Sequence, residues 1–130
     1  MGVLKIVLFG RIPSKKNSKN WIFRGGRKFL VPSANYMAWH QEQSLKLKKN
    51  LVSSPIEKCS LVIKICFPDN RSADLTNKAE SIMDFLVDSK ILFDDKHQIC
   101  HDIHLISIGI DKIKPRAEIT INYEDNITTT

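Results

Sequence analysis

The sequence predicts one α+β domain: a mixed, mostly antiparallel β-sheet with two main α-helices packed on it. Three runs carry this. Residues 59–67, CSLVIKICF, are almost continuously β-branched and apolar, the pattern of a strand buried on both faces and therefore central in its sheet. Residues 116–123, RAEITINY, alternate strictly, with Ala117, Ile119, Ile121 and Tyr123 on one face. Between them, Leu75, Ala79, Ile82, Met83 and Leu86 form an apolar stripe at helical spacing over residues 74–89. At 130 residues the chain can build one core but not two. We expect a domain over residues 1–123 and a flexible C-terminal tail over 124–130.

In chain order, VLKIVLF at 3–9 reads as a strand. Gly10 to Asn20 is a loop by composition, with Gly, Pro, Ser and Asn among four cations. Residues 21–31 read as a hairpin turning at Gly25-Gly26, whose glycines accept the positive φ such turns need. Its Trp21, Phe23 and Phe29 lie among Arg24, Arg27 and Lys28. That mixture suits bases and phosphates, or simply a hairpin with one face on the core. Ser33 is a candidate N-cap for a helix over 34–49, in which Tyr36, Met37, His40, Gln41, Ser44, Leu45 and Leu47 fall at mixed spacing. Lys46, Lys48 and Lys49 would occupy its last turn, where the helix dipole favours cations. Asn50 to Lys58 is a loop, Pro68-Asp69-Asn70 ends the central strand, and residues 98–110 form another β-rich run. Asp111 to Pro115 turns the chain into the last strand.

Charge is unevenly spread. Residues 1–50 hold eleven basic residues and one acid, and residues 51–130 hold nine basic and thirteen acidic ones. A basic half joined to an acidic half suits a protein that grips a polyanion and holds divalent cations beside it. No apolar run approaches the roughly 18 residues that span a bilayer, so no membrane partner is expected. Cys59, Cys66 and Cys100 are odd in number and lack metal-ligand spacing, which points to buried, reduced thiols. Zinc is not expected: on a strand, His101 and His104 point to opposite faces.

The stretch Asn70 to Asp95 holds the chemistry. Asp74 follows the central strand and opens the amphipathic helix, and Asp94-Asp95 follow it. Phosphodiester hydrolysis suits carboxylates that hold Mg2+, an ion that takes one or two of them and fills its remaining sites with water and phosphate. The plainer reading makes Asp74 a helix cap and Asp94-Asp95 a solvated turn. A helix of about 15 residues is roughly 22 Å long, so its two ends share an ion only if residues 90–95 fold back along it.

The run DLTNKAESIMDFLVDSKILFDD, Asp74 to Asp95, resembles the RusA family of Holliday junction resolvases, with their D-x-D-N start, amphipathic helix and closing D-D pair. The opening GRIPSKKN, Gly10 to Asn17, is similar to the family's early P-S-x-N loop. The resemblance covers about residues 5–123, in order. It implies a homodimeric, Mg2+-dependent endonuclease, with Mn2+ as an alternative ion, that nicks four-way DNA symmetrically in recombination and repair. It also implies a cytoplasmic protein of bacterial or prophage origin.

Carried over by position, Asp74 and Asp95 match catalytic metal-binding acids, Asp94 the neighbouring acid, and Asn77 the asparagine of the motif, a DNA contact. Two positions depart. Thr76 stands where the family has its second Asp, and Glu80 where it has a lysine. Glu80 replacing the lost carboxylate and Lys78 the lost cation would reconcile the two. Lys15, Lys16, Lys19, Arg24, Arg27 and Lys28 would hold phosphates. The alternatives are a junction-binding protein with weakened catalysis, a broader structure-selective nuclease, and an accessory protein with no DNA affinity.

Overall fold

The computed structural model describes residues 2–14, 19–32, 34–49, 51–71 and 73–124. The chain runs β1 (Gly2–Phe9), β2 (Lys19–Arg24), β3 (Arg27–Pro32), α1 (Ala34–Lys46), β4 (Cys59–Phe67), α2 (Leu75–Asp88), β5 (Cys100–Ile110) and β6 (Arg116–Tyr123). Strands β1, β6, β4 and β5 form one sheet in that order, and β2 with β3 form a separate ribbon. The β1–β6 and β6–β4 pairs are antiparallel and the β4–β5 pair is parallel, so the sheet is mixed and mostly antiparallel. The parallel pair requires a crossover, and α2 supplies it.

Register explains the core. Leu61 faces Ile121, Ile63 faces Ile119, and Ile65 faces Ala117, while Ile6 and Leu8 of β1 lie across from Ile119 and Ala117. All are buried on one side of the sheet, together with Ile82, Met83, Phe85 and Leu86 of α2 and Tyr36 and Trp39 of α1. Each such side chain contributes about 1.5–3 kcal/mol by leaving water. The central position expected of residues 59–67 is observed, with β6 on one side and β5 on the other. No helix among the described residues is long and apolar enough to cross a membrane.

Helix α1 differs from its sequence reading. It ends at Lys46, so Lys48 and Lys49 lie beyond it. Its buried residues are Tyr36, Trp39 and Gln43, whereas Met37 and Leu45 face solvent. The burial of Gln43 is satisfied because its side-chain amide donates to the Phe9 carbonyl at 3.0 Å. Trp39 meets Phe85 edge-on with ring centroids 5.8 Å apart. Two polar rungs also join α1 to α2: the Tyr36 hydroxyl donates to Asp84, and the His40 ring lies 3.0 Å from an Asp88 oxygen.

Strand β5 is one of the sheet's two edge strands, with β1 the other, and Ile103, Ile106, Ile108 and Ile110 on it stay 40–50% exposed. Its pairing with β4 shifts register between Ile65 and Cys66, where Gly109 takes a φ of 117°. The cysteines are buried and free. Cys59 and Cys100 lie side by side with sulfurs 3.7 Å apart, and His101 and His104 are exposed. The candidate cap Ser33 and all of the expected tail after Glu124 lie outside the described residues.

Candidate functional site

Pro68 ends β4, since it has no N–H to continue a ladder. The chain turns through Asp69 and reaches Asp74, whose extended backbone (φ −87°, ψ 112°) makes it the N-cap of α2. Its Oδ1 accepts from the Thr76 amide at 3.0 Å, the Thr76 hydroxyl at 2.6 Å and the Asn77 amide at 3.3 Å. The Thr76 hydroxyl is therefore a donor to Asp74, a role the carboxylate of a second aspartate could not fill. The cap satisfies helix donors that would otherwise be orphaned, and the helix dipole favours its charge.

The loop after β1 closes over this corner. Gly10 turns the chain out of the strand with a φ of 94°, and its amide donates to Pro115. The Ser81 hydroxyl on α2 then donates to the Pro13 carbonyl at 2.6 Å and ties the loop to the helix. The result is a cavity of about 210 Å3 whose walls include Arg11, Ser14, Asp69, Asp74, Asn77 and Lys78. Residues 11–14 and the start of α2, far apart in sequence, thus meet at one place.

Charge in the corner is mixed but leans positive, with Arg11, Arg71 and Lys78 against Asp69 and Asp74. Asp69 is gripped by the Arg71 and Arg11 guanidiniums, and it also accepts from the Arg71 amide at 3.0 Å. These donors hold its carboxyl well below the usual carboxylate range, Arg71 contributing most. Burial, and then the neighbouring Arg11 charge, push the Lys78 ammonium below its usual value. Asn77 is buried beside it. Sequence reading missed Arg11, Asp69 and Arg71 as site residues. The available signal was a cation close after an acid where the strand ends, in PDNR, and one more in GRIP.

The metal site expected of Asp74, Glu80, Asp94 and Asp95 does not assemble within one chain. Glu80 is exposed and lies outside the cavity lining, to which α2 contributes Asn77 and Lys78. It does not replace a carboxylate there. Asp94 and Asp95 lie at the other end of the sheet: the Cys100 thiol, at the start of β5, donates to the Asp94 carbonyl at 3.6 Å, and Cys100 pairs with Cys59 at the start of β4. Asp74 follows the far end of β4. The chain does not fold back along α2 after it ends. Lys90 takes a φ of 61°, and Leu92 then bridges to Ile56 ahead of β4. Asp94 is instead occupied locally. The Asp95 amide donates to it at 2.7 Å and, with a weaker contribution from Lys96 at 3.7 Å, holds its carboxyl below the usual range.

Of the expected phosphate contacts, Arg24, Arg27 and Lys28 are exposed at the tip of the β2–β3 hairpin. Lys15 and Lys16 lie outside the described residues, and of Lys19 only the place on β2 is described. No protein-family model and no curated protein matches this chain.

Proposed function

We propose that the chain is an endonuclease of the resolvase kind, acting with Mg2+ as a homodimer on four-way DNA in recombination and repair. The observation that supports this reading is the meeting of Arg11 and Ser14 with Asp74, Asn77 and Lys78 in one cavity, because each of the two stretches that resemble the resolvases contributes its opening residues to it. Three cations around two acids suit a phosphate that is held beside a carboxylate. The exposed Arg24, Arg27 and Lys28 add a second group of cations at the tip of the hairpin.

The test is a labelled four-way junction incubated with the protein in Mg2+, in Mn2+ and in EDTA. Symmetric nicks in either metal, none in EDTA, and loss of nicking in Lys78→Ala are the expected result. Equal cutting of flaps, duplex and single strands would make it a broader nuclease. Absence of both nicking and salt-dependent junction affinity would sink the reading.

A second reading, junction binding with weakened cleavage, is favoured by the place of Glu80 outside the cavity lining and by the remote Asp94-Asp95. It expects tight, salt-dependent binding to the junction without nicks in either metal.

A further inference from the structure

Away from the corner, one side-chain cluster joins the two helices. His40 of α1 and Asp84 and Asp88 of α2 place one ligand atom each within 4.8 Å of one another. Asp84 and Asp88 are four residues apart, so they stand one above the other on the helix surface, and His40 meets them from the neighbouring helix. The donor set is one imidazole nitrogen and two carboxylate oxygens. That mixture suits a borderline transition ion with bonds near 2.0–2.2 Å, and it is a poor match for Mg2+, which prefers oxygen alone.

The surroundings are those that orient metal ligands. The Tyr36 hydroxyl donates to Asp84, which fixes that carboxylate from outside the cluster. The His40 ring is held edge-on against Phe85, with centroids 5.3 Å apart and planes at 73°. Asp88 is about half exposed, so an ion has an entry path and solvent can complete its coordination. Asp84 lies ten residues along α2 from Asp74, about 15 Å away, so the cluster is separate from the corner.

We propose that His40, Asp84 and Asp88 bind one divalent transition-metal ion of the zinc class and thereby clamp α1 to α2. The ion replaces the direct contact between His40 and Asp88 with bonds to both, and the neutral imidazole is the form that ligates. The proposal does not depend on DNA cleavage.

The probe is Zn2+ added to EDTA-treated, desalted full-length protein and followed by calorimetry and thermal melting, with Co2+ absorbance reporting the coordination. We expect one ion per chain and a raised melting temperature. His40→Gln and Asp88→Asn should each weaken binding at least about tenfold and abolish the shift, and Tyr36→Phe should weaken it by about tenfold. Asp74→Asn should bind as the parent does. Circular dichroism checks the fold of His40→Gln, and Asp88→Asn, at a half-exposed position, provides a second measurement that does not disturb the core. No saturable binding, or unchanged binding in both His40→Gln and Asp88→Asn, would overturn the proposal. So would loss of binding in Asp74→Asn alone.

Discussion

Arg24 and Arg27 stand directly opposite each other across the Gly25-Gly26 turn, with Phe23 opposite Lys28 on the next rung. Both glycines have positive φ, 57° and 76°, as a tight two-residue hairpin turn requires. Like charges placed opposite one another cost a ribbon stability, on the order of 0.2–1 kcal/mol, and an anion lying between them removes the cost. Replacing either arginine by alanine should therefore leave the fold as stable or slightly more so. The same change should weaken junction binding and flatten the slope of log K against log salt by about 0.9 for each phosphate the protein no longer neutralises. Anisotropy titrations over a salt series measure both effects.

Asp74 has two separable duties. As the N-cap it holds three donors, and its loss to alanine should cost about 1 kcal/mol in urea unfolding. Asparagine caps helices as well as aspartate does but carries no charge. Asp74→Asn should accordingly keep the urea midpoint close to that of the parent and abolish nicking. Nicking at the parent rate in Asp74→Asn would confine Asp74 to the cap.

The ends of α2 give a test in mixed dimers. If cleavage uses Asp74 of one chain and Asp95 of another, Asp74→Asn and Asp95→Asn are each inactive alone. A dimer with one chain of each kind then keeps one intact site and should nick one strand of the junction. Co-expression with two different tags isolates that species. An inactive mixed dimer, beside an active parent dimer made the same way, would place both acids in the same chain's site.

Asp69 sets an acid limb on stability. Its folded pKa lies below the unfolded value of about 3.9, so the unfolded chain takes up the proton first as the pH falls. The contribution of the Arg71 and Arg11 pairs is therefore present at neutral pH and lost progressively below about pH 4–5. These groups are exposed to solvent, so the loss should be small and should shrink further in high salt. Urea midpoints between pH 3 and pH 6 should fall more steeply for the parent than for Asp69→Asn.

Where a strand is paired on both sides or alternates strictly, the sequence was readable. β4 and β6 span the residues expected of them, because the neighbours on both sides leave each position one acceptable character. α2 was equally plain, with Phe85 and Ser81 widening the stripe that Leu75 to Leu86 suggested. α1 was not. It buries Trp39 and Gln43 while Met37 and Leu45 face water, so its polarity pattern does not follow its contacts. Gln43 is acceptable inside only because the Phe9 carbonyl, 34 residues away, receives its amide.

The corner was half legible for a related reason. Asp74 announced itself as a cap, but Arg11, Asp69 and Arg71 join it through the tertiary contact of Ser81 with Pro13. The length of α2 already set its two ends roughly 20 Å apart, and only the path after Lys90 was open. That path follows Ile56, away from Asp74.

The edge strand β5 has a consequence for handling the protein. β5 offers a row of backbone donors and acceptors on its unpaired side, the kind of template on which strands of other molecules grow. Its first half carries His101, Asp102 and His104, which repel such growth. From Leu105 to Ile110 no side chain is charged, and three isoleucines there are 40–50% exposed. The irregularity at Gly109 is then the guard of this half, because a bulge twists an edge out of the flat shape that stacking requires. Straightening it would turn a protected edge into a nucleus for fibrous aggregation.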